Sequence, residues 1–385
     1  MDEQHDITPI GITNYRNTNQ PFGIKDRDRL QHIYILGKSG SGKTTLLKKM
    51  AQSDIERGNS VVVLDPHSDM AKELLSGIPE ECKKDVIYFN PKDTTKPIAF
   101  NPLKGIHPNY HSLVASSLIA TFKKIWSDSW GPRMEHITRY ALLTLLTYPD
   151  ATLLDLQPLL TSEPFRLQVL QFVTEGHVIA FWTGEFSQYT KTLRTEAISP
   201  ILNKIGLLQA SPAIRATIGQ KTRGFRMQEI LDGKILICNL SKGELGEDVS
   251  SLLGCIILTS LQYAAMFRAK QDFLSRKPVY IYADEAQNYM TLSMVDLLSE
   301  GRKFGISLTI ANQYLGQWDE RIRDAIFGNV GTLIAFRVGA TDAEYLEKEF
   351  YPVFTADDLI NLPRFAIYIK LMIDGATSQP FSAKT

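Results

Sequence analysis

The chain has 385 residues, 44% hydrophobic and 22% charged, the balance of a globular protein with core enough for one large domain or two ordinary ones. Its 42 Lys and Arg residues cancel 42 Asp and Glu, leaving a formal net charge of +0. That excludes a nucleic-acid binder that works through overall positive charge, although it permits a local basic surface or pore. Cys82, Cys238 and Cys255 are far apart in sequence and read as free thiols of a reducing compartment.

Residues 1–30 are polar, without a secretory signal pattern, and read as an extended lead-in with short strands. His32–Leu36 is a short β-prone run. It passes into a glycine-rich turn and then into Thr45–Ala51, which has helical character. The turn fits the phosphate-loop pattern G-x-x-x-x-G-K-[ST] at Gly37, Gly42, Lys43 and Thr44. Glycines let backbone N–H groups face inward on a phosphate, and the following helix adds unpaired N–H groups and a positive dipole end. The predicted nucleotide cradle is therefore Gly37, Lys38, Ser39, Gly40, Ser41, Gly42, Lys43, Thr44 and Thr45. Lys43 is placed for the β- and γ-phosphates, and the Thr44 hydroxyl for Mg2+. ATP and Mg2+ are the implied ligands.

An α/β rhythm follows. Ser60–Asp65 is a continuous apolar run ending in an acid, as expected of a strand buried on both faces. Met70–Leu75 is predicted helical and Asp85–Phe89 a further strand, which together imply parallel βαβ units. The strand-end Asp65 is expected to face the ligand crevice, with Ser68 and Asp69 the better candidates for capping the next helix. From about His107 to Leu231 the pattern is almost entirely helical, with Tyr110–Ile125, Glu135–Leu146, Phe165–Glu175 and Thr192–Leu208 at helical spacing and prolines between them. This block is too long for a crossover, so 107–231 is read as an inserted helical subdomain in a core of 31–106 and 232–385.

The α/β rhythm resumes with a strand at Lys234–Leu240 and a long helix at Asp248–Ala269. The apolar stretch Leu252–Phe267 is broken by Thr259, Ser260, Gln262 and Tyr263, and reads as a buried helix and not as a membrane span. Val279–Glu285, VYIYADE, is a strand ending in two acids, the Walker B arrangement. Asp284 is placed to hold Mg2+ and Glu285 to polarise an attacking water. After a predicted helix at Met294–Lys303, the strand Ile306–Ala311 ends in Asn312 and Gln313, and Gln313 is the candidate to sense the γ-phosphate. Arg302 in the basic turn EGRKFG is the first candidate for an arginine finger. Arg337, after the strand Thr332–Phe336, is the second. Helices at Asp342–Phe350 and Ala356–Leu362 and a strand at Ala366–Lys370 close the set.

The motifs HIYILGKSGSGKTTLL, VVVLDPHSD, VYIYADEAQN, EGRKFGISLTIANQ and GTLIAFRVGATDAE, in this order, resemble the FtsK/HerA superfamily of DNA-pumping ATPases, and most of all the TraD/TraG-like coupling ATPases of conjugation and type IV secretion. The resemblance spans about residue 30 to the end. It implies a RecA-like P-loop core with a mostly parallel sheet, an inserted all-α subdomain, and a ring-shaped homohexamer that binds ATP between subunits and passes DNA through its pore. It implies Lys43 and Thr44 at the phosphates and Mg2+, Asp284 at Mg2+, Glu285 as catalytic base, Gln313 as sensor and Arg302 as a finger in trans. A relaxase and membrane secretion components are the implied partners. Coupling proteins usually begin with transmembrane helices, and none is read here. The expectation is thus a cytoplasmic protein, peripheral at the inner face of the cell membrane. The alternatives are a HerA-like DNA-processing translocase and a protein-secreting or remodelling ATPase. Seven Lys and Arg residues between Lys191 and Arg226 face a single acid, Glu196. This cluster fits phosphate contact or a solvated helix face. Trp126, Trp130 and Trp182 fit base stacking or, more simply, core packing.

Overall fold

A computed structural model describes residues 6–222, 224–272 and 275–385. It divides the chain into two compact units, one of residues 1–89, 227–241 and 264–385, the other of residues 90–226 and 242–263.

The first unit is an α/β layer structure on one eleven-stranded sheet. Its strands, in chain order, are β1 (Ile7–Thr13), β2 (Pro21–Lys25), β3 (Ile33–Leu36), β4 (Ser60–Asp65), β5 (Val86–Phe89), β6 (Ile235–Asn239), β7 (Val279–Ala283), β8 (Ile306–Asn312), β9 (Thr332–Ala335), β10 (Ala366–Lys370) and, after a small β11–β12 hairpin (Met372–Ile373 and Ala376–Thr377), β13 (Phe381–Lys384). The spatial order is β2-β1-β13-β10-β9-β3-β8-β7-β4-β6-β5. From β9 to β5 every pairing is parallel, and from β9 outward through β10, β13, β1 and β2 every pairing is antiparallel. Every residue of β3, β4, β6, β7, β8 and β9 is buried, which is why these strands read as unbroken apolar runs. The lead-in is a hairpin of the sheet, and β13 lies between β1 and β10, a strand that the sequence pattern did not reveal.

The register fixes the site. Leu36 is level with Asn312 and with Ala335, and Ala283 with both Leu64 and Ile310. The chain therefore leaves β3, β8, β9, β7 and β4 at one edge of the sheet, the carboxyl edge where ligands bind in open α/β sheets. The helix Lys43–Glu56 packs its buried Leu46, Leu47, Met50, Ala51 and Ile55 into the same core as Ile33, Ile35, Val61 and Val63.

The second unit is helical, with principal helices His111–Ile125, Pro132–Thr147 and Lys191–Ala210. Short segments at Leu156–Thr161, Glu163–Leu170 and Gly176–Ala180 were less legible, and the predicted helix Phe165–Glu175 runs instead from Glu163 to Leu170. The unit also takes in residues 242–263, most of the helix Glu247–Met266 that the sequence reading assigned to the core. With its 3-10 extension to Ala269 this helix is long and apolar enough to cross a membrane, yet most of its apolar stretch is buried within the protein. That is the reason for its apolarity.

Candidate active site

The turn after β3 has Gly40 at φ 73° and Gly42 at φ 126°, the left-handed region that glycine enters at little cost. Gly42 is doubly constrained, since a Cβ there would come within 2.8 Å of the Phe365 ring and 3.0 Å of the Phe336 ring. The helix starts at Lys43. Its ammonium turns back into the loop and donates to the carbonyls of Gly37 at 2.6 Å and Lys38 at 3.3 Å. Burial lowers the Lys43 pKa, and the neighbouring Asp284 and Glu285 carboxylates oppose that shift.

Asp284 and Glu285 follow β7. The Thr44 hydroxyl donates to Asp284 Oδ2 at 2.6 Å, so the two groups expected to share Mg2+ already meet. Burial raises the Asp284 pKa and the Thr44 hydrogen bond counteracts it. Glu285 has φ 47°, an uncommon conformation for a residue other than glycine and one found at functional turns. Both of its carboxylate oxygens accept side-chain amides, Oε1 from Gln313 Nε2 at 3.0 Å and Oε2 from Gln287 Nε2 at 2.8 Å. Asn288 Nδ2 donates to its backbone carbonyl at 2.8 Å. Gln313 therefore touches the predicted base directly. Its neighbour Asn312 is a buried structural residue that accepts from the Tyr34 hydroxyl at 2.8 Å.

One cleft is lined by Ser39, Gly40, Gly42, Lys43, Thr44, Thr45, Asp284, Glu285 and Gln313, together with His67 and Arg364. Gly37, Lys38 and Ser41 lie behind this lining. Gly37 and Lys38 hold the lysine, and the Ser41 hydroxyl is buried without a partner among the described residues. Sequence reasoning missed His67 and Arg364. His67 stands in the quoted strand-end motif LDPHSD and was within reach, whereas Arg364 belongs to no motif.

Asp65 is fully buried and faces a different task. Its carboxylate accepts the N–H groups of His67 and Ala71, each at 2.8 Å, and so caps the helix Asp69–Ser76. Ser68, in a left-handed conformation, makes no cap. The cap expected of Ser68 or Asp69 is thus made by Asp65, because a buried carboxylate needs the N–H groups that the helix start offers. Arg337 follows β9 at the carboxyl edge, where its carbonyl accepts the Lys38 N–H at 2.8 Å. Arg302 is exposed in a 3-10 turn ahead of β8, at the opposite edge of the sheet from the cleft. The structure brings Lys43, Thr44, Asp284, Glu285 and Gln313 together, and it leaves Arg302 apart from them.

In the helical unit the basic cluster is partly spent on the fold. Lys204 donates to Ser129 Oγ at 2.7 Å, Arg194 to the carbonyls of Phe186 and Ser187, and Arg215 to the Gln209 carbonyl. Lys191 and Lys221 are exposed, and Arg223 lies outside the described residues. Trp182 is a core residue with Nε1 donating to Thr144 at 2.7 Å, and Trp130 Nε1 donates to Glu135 at 3.1 Å. Trp126 packs on Phe122 with ring centroids 5.3 Å apart.

A family profile described as the type IV secretion-system coupling protein DNA-binding domain matches residues 21–350. No curated protein matches the chain by sequence. Among solved structures, the unbound bacterial conjugative coupling protein TrwBdeltaN70 superposes with a TM-score of 0.65 at 15% identity, over 97% of this chain and 89% of that one. The plasmid coupling protein TrwB in complex with ADP and Mg2+ gives 0.63 at 15% identity, over 99% and 91%. VirB4 of Thermoanaerobacter pseudethanolicus gives 0.64 at 15% identity, over 98% and 96%. The α/β fold with its mostly parallel sheet is that of these P-loop proteins.

Proposed function

This chain belongs to the family of type IV secretion-system coupling-protein DNA-binding domains, and we propose that it is an ATP-hydrolysing motor that translocates DNA in conjugation or type IV secretion. The observation that carries the reading is the 3.0 Å hydrogen bond from Gln313 to Glu285 in the cleft that also holds Lys43 and the Thr44–Asp284 pair. Three neighbouring parallel strands, β3, β8 and β7, thereby deliver a phosphate cradle, a polar amide and two carboxylates to one place. The fold is shared with TrwB, which has been seen with ADP and Mg2+ and with a non-hydrolysable ATP analogue.

The cleft residues suit ATP and Mg2+. Thr44 and Asp284 offer hard oxygen ligands, and a metal held by one or two such groups completes its shell with phosphate and water. Bound Mg2+ supplies neutralisation of phosphate charge. Lys43, whose hydrogen bonds go only to loop carbonyls among the described residues, swings its charge onto the phosphates. Glu285 orients a water and accepts its proton. Gln313 holds the Glu285 carboxylate in position and couples it to the γ-phosphate. Arg302, at the opposite edge of the sheet, serves a neighbouring subunit's cleft in a homohexamer, while Arg337 is the finger candidate on the chain's own side. DNA runs through the ring. A relaxase and membrane secretion components are the docking partners, at the cytoplasmic face.

The test is ATP turnover with no DNA, single-stranded DNA and double-stranded DNA. Stimulation by DNA is expected, and turnover indifferent to DNA but raised by a protein substrate would reject the DNA motor. Mixed assemblies of parent and Arg302→Ala subunits should lose turnover at the parent's sites, and a defect confined to the variant's own sites would exclude the finger in trans.

A further inference from the structure

The cleft contains a cation with no assigned task. Arg364 lines it beside the phosphate loop, is exposed, and makes no hydrogen bond or ion pair among the described residues. Its guanidinium carbon lies 4.6 Å from the centroid of the Phe365 ring. An unpaired guanidinium over an aromatic ring keeps both its donors and its outer face available to a ligand.

The segment carrying Arg364 is fastened to the loop. Phe365 donates its N–H to the Ser41 carbonyl at 2.9 Å, and its own carbonyl accepts from the Thr385 N–H at 3.0 Å. Phe365 has φ 65°, a left-handed conformation that is costly for a bulky residue and persists only where the surroundings enforce it. The ring lies so close to Gly42 that no side chain fits between them. Arg364 is therefore positioned by backbone contacts to the phosphate loop itself.

The sheet order gives the direction of approach. β3 carries the loop, β8 and β7 lie on one side of it with Gln313, Asp284 and Glu285, and β9 and β10 lie on the other. Arg364 precedes β10 and enters from that second side. Charge balance agrees, because Lys43 is the cation set against Asp284 and Glu285 among the described residues, and a nucleotide polyphosphate adds several further negative charges.

We propose that Arg364 is a nucleotide-binding residue of the chain's own cleft. It grips the nucleoside-diphosphate portion common to ADP and ATP from the side remote from the catalytic carboxylates, and so contributes affinity and not chemistry. The proposal rests on the cleft being the ATP site.

The experiment uses the full chain with Mg-ADP and Mg-ATP as probes. In Arg364→Ala, the ADP dissociation constant and the ATP KM should rise together by about tenfold, as for loss of one charge-assisted contact, while kcat changes by less than about twofold. Unchanged affinity for both nucleotides would overturn the proposal. So would a kcat reduced about a hundredfold with ADP affinity intact, since that places the arginine at the transferring phosphate. Lys43→Ala separates the two layers of inference. If both variants bind like the parent, the site reading fails; if only Arg364→Ala does, the role of Arg364 alone fails.

Discussion

Two polar clusters share strand β7 and solve opposite problems. At the strand's end, Asp284 and Glu285 face the cleft. Two to four residues earlier, Tyr282 and Tyr280 enclose Arg29, which is fully buried. Arg29 donates to both Asp54 oxygens at 2.8 and 2.7 Å and to the Tyr282 hydroxyl at 2.6 Å, and its guanidinium carbon stacks 3.7 Å from the Tyr280 centroid. Asp54 also accepts from Arg57 at 2.5 Å and from Tyr282. Here every charge is answered by an opposite one. In the cleft, Lys43 spends its hydrogen bonds on backbone carbonyls and forms no ion pair with either acid among the described residues. The network pairs its charges internally and serves stability, whereas the cleft is electrostatically unfinished and serves a ligand.

The largest effect expected from breaking the contrast is in the cleft. Lys43→Ala should reduce ATP turnover by about a thousandfold or more, the scale for removing a preorganised charge from a transferring group. Its thermal midpoint should stay at or above the parent's, because the substitution removes a desolvated charge. A marked loss of stability would make Lys43 a structural residue and dissolve the contrast.

Arg29→Met should do the reverse. Removing one member of a buried pair costs about 3–5 kcal/mol, with Arg57 left as the remaining cation on Asp54, while replacing both members by apolar groups recovers much of that. Denaturant midpoints of Arg29→Met and of the double variant Arg29→Met, Asp54→Leu measure both terms. Turnover per folded molecule should change little. A double variant no more stable than the single one would show that the network does more than pair charge.

Acid should find the same side of the contrast. Burial holds the His32 imidazole pKa down to about 4, against the opposing pull of the Leu297 and Leu298 carbonyls, and its Nδ1 accepts the Leu308 N–H at 3.1 Å. The unfolded chain takes up this proton near pH 6.5 and the folded one does not. Stability is therefore intact above that pH and falls by about 3 kcal/mol on the way down to about pH 4. Asp54 acts lower. Burial alone would raise its pKa, but Arg29, Tyr282 and Arg57 bring it below the ordinary value, so its contribution is lost only as the pH drops further. Chemical denaturation across this range should show the first slope in the parent and a flatter one in His32→Phe. An equal slope in both would assign the acid sensitivity elsewhere.

Glu285→Gln returns to the cleft with a smaller effect, about a hundredfold in kcat with ATP affinity retained. Weakened ATP binding at unchanged kcat would contradict the role of base.

Much of the cleft was legible because local sequence specifies it. The loop glycines sit where left-handed backbone is needed, and VYIYADE is an apolar run that ends where the crevice begins. The buried network was not legible. Arg29 and Asp54 are 25 residues apart in segments rich in charge, and nothing nearby marks them as buried. β13 escaped for a related reason. Its four residues make a strand only through antiparallel pairing with β1, more than 360 residues earlier, and with β10. Asp65 was read correctly as a strand-end acid, but the cap it makes was expected of Ser68 or Asp69, because strand position does not say which N–H groups will reach a carboxylate. Arg364 depends on a turn whose only sequence mark is Pro363.

Gln313 tests how finely the cleft is organised. Its amide is one of two that hold the Glu285 carboxylate, the other coming from Gln287. Removing one amide leaves the Glu285 carboxylate in place but less constrained, so Gln313→Ala should lower kcat by about tenfold, close to the worth of one hydrogen bond to a charged group. If Gln313 also reads the γ-phosphate, its loss should weaken discrimination between ATP and ADP in binding, which Gln287→Ala should not do. Equal consequences for the two variants, in rate and in discrimination, would reduce Gln313 to a second clamp on Glu285. The ADP and ATP dissociation constants of both variants decide the matter, because a residue that only positions the base cannot distinguish nucleotides that differ at the γ-phosphate.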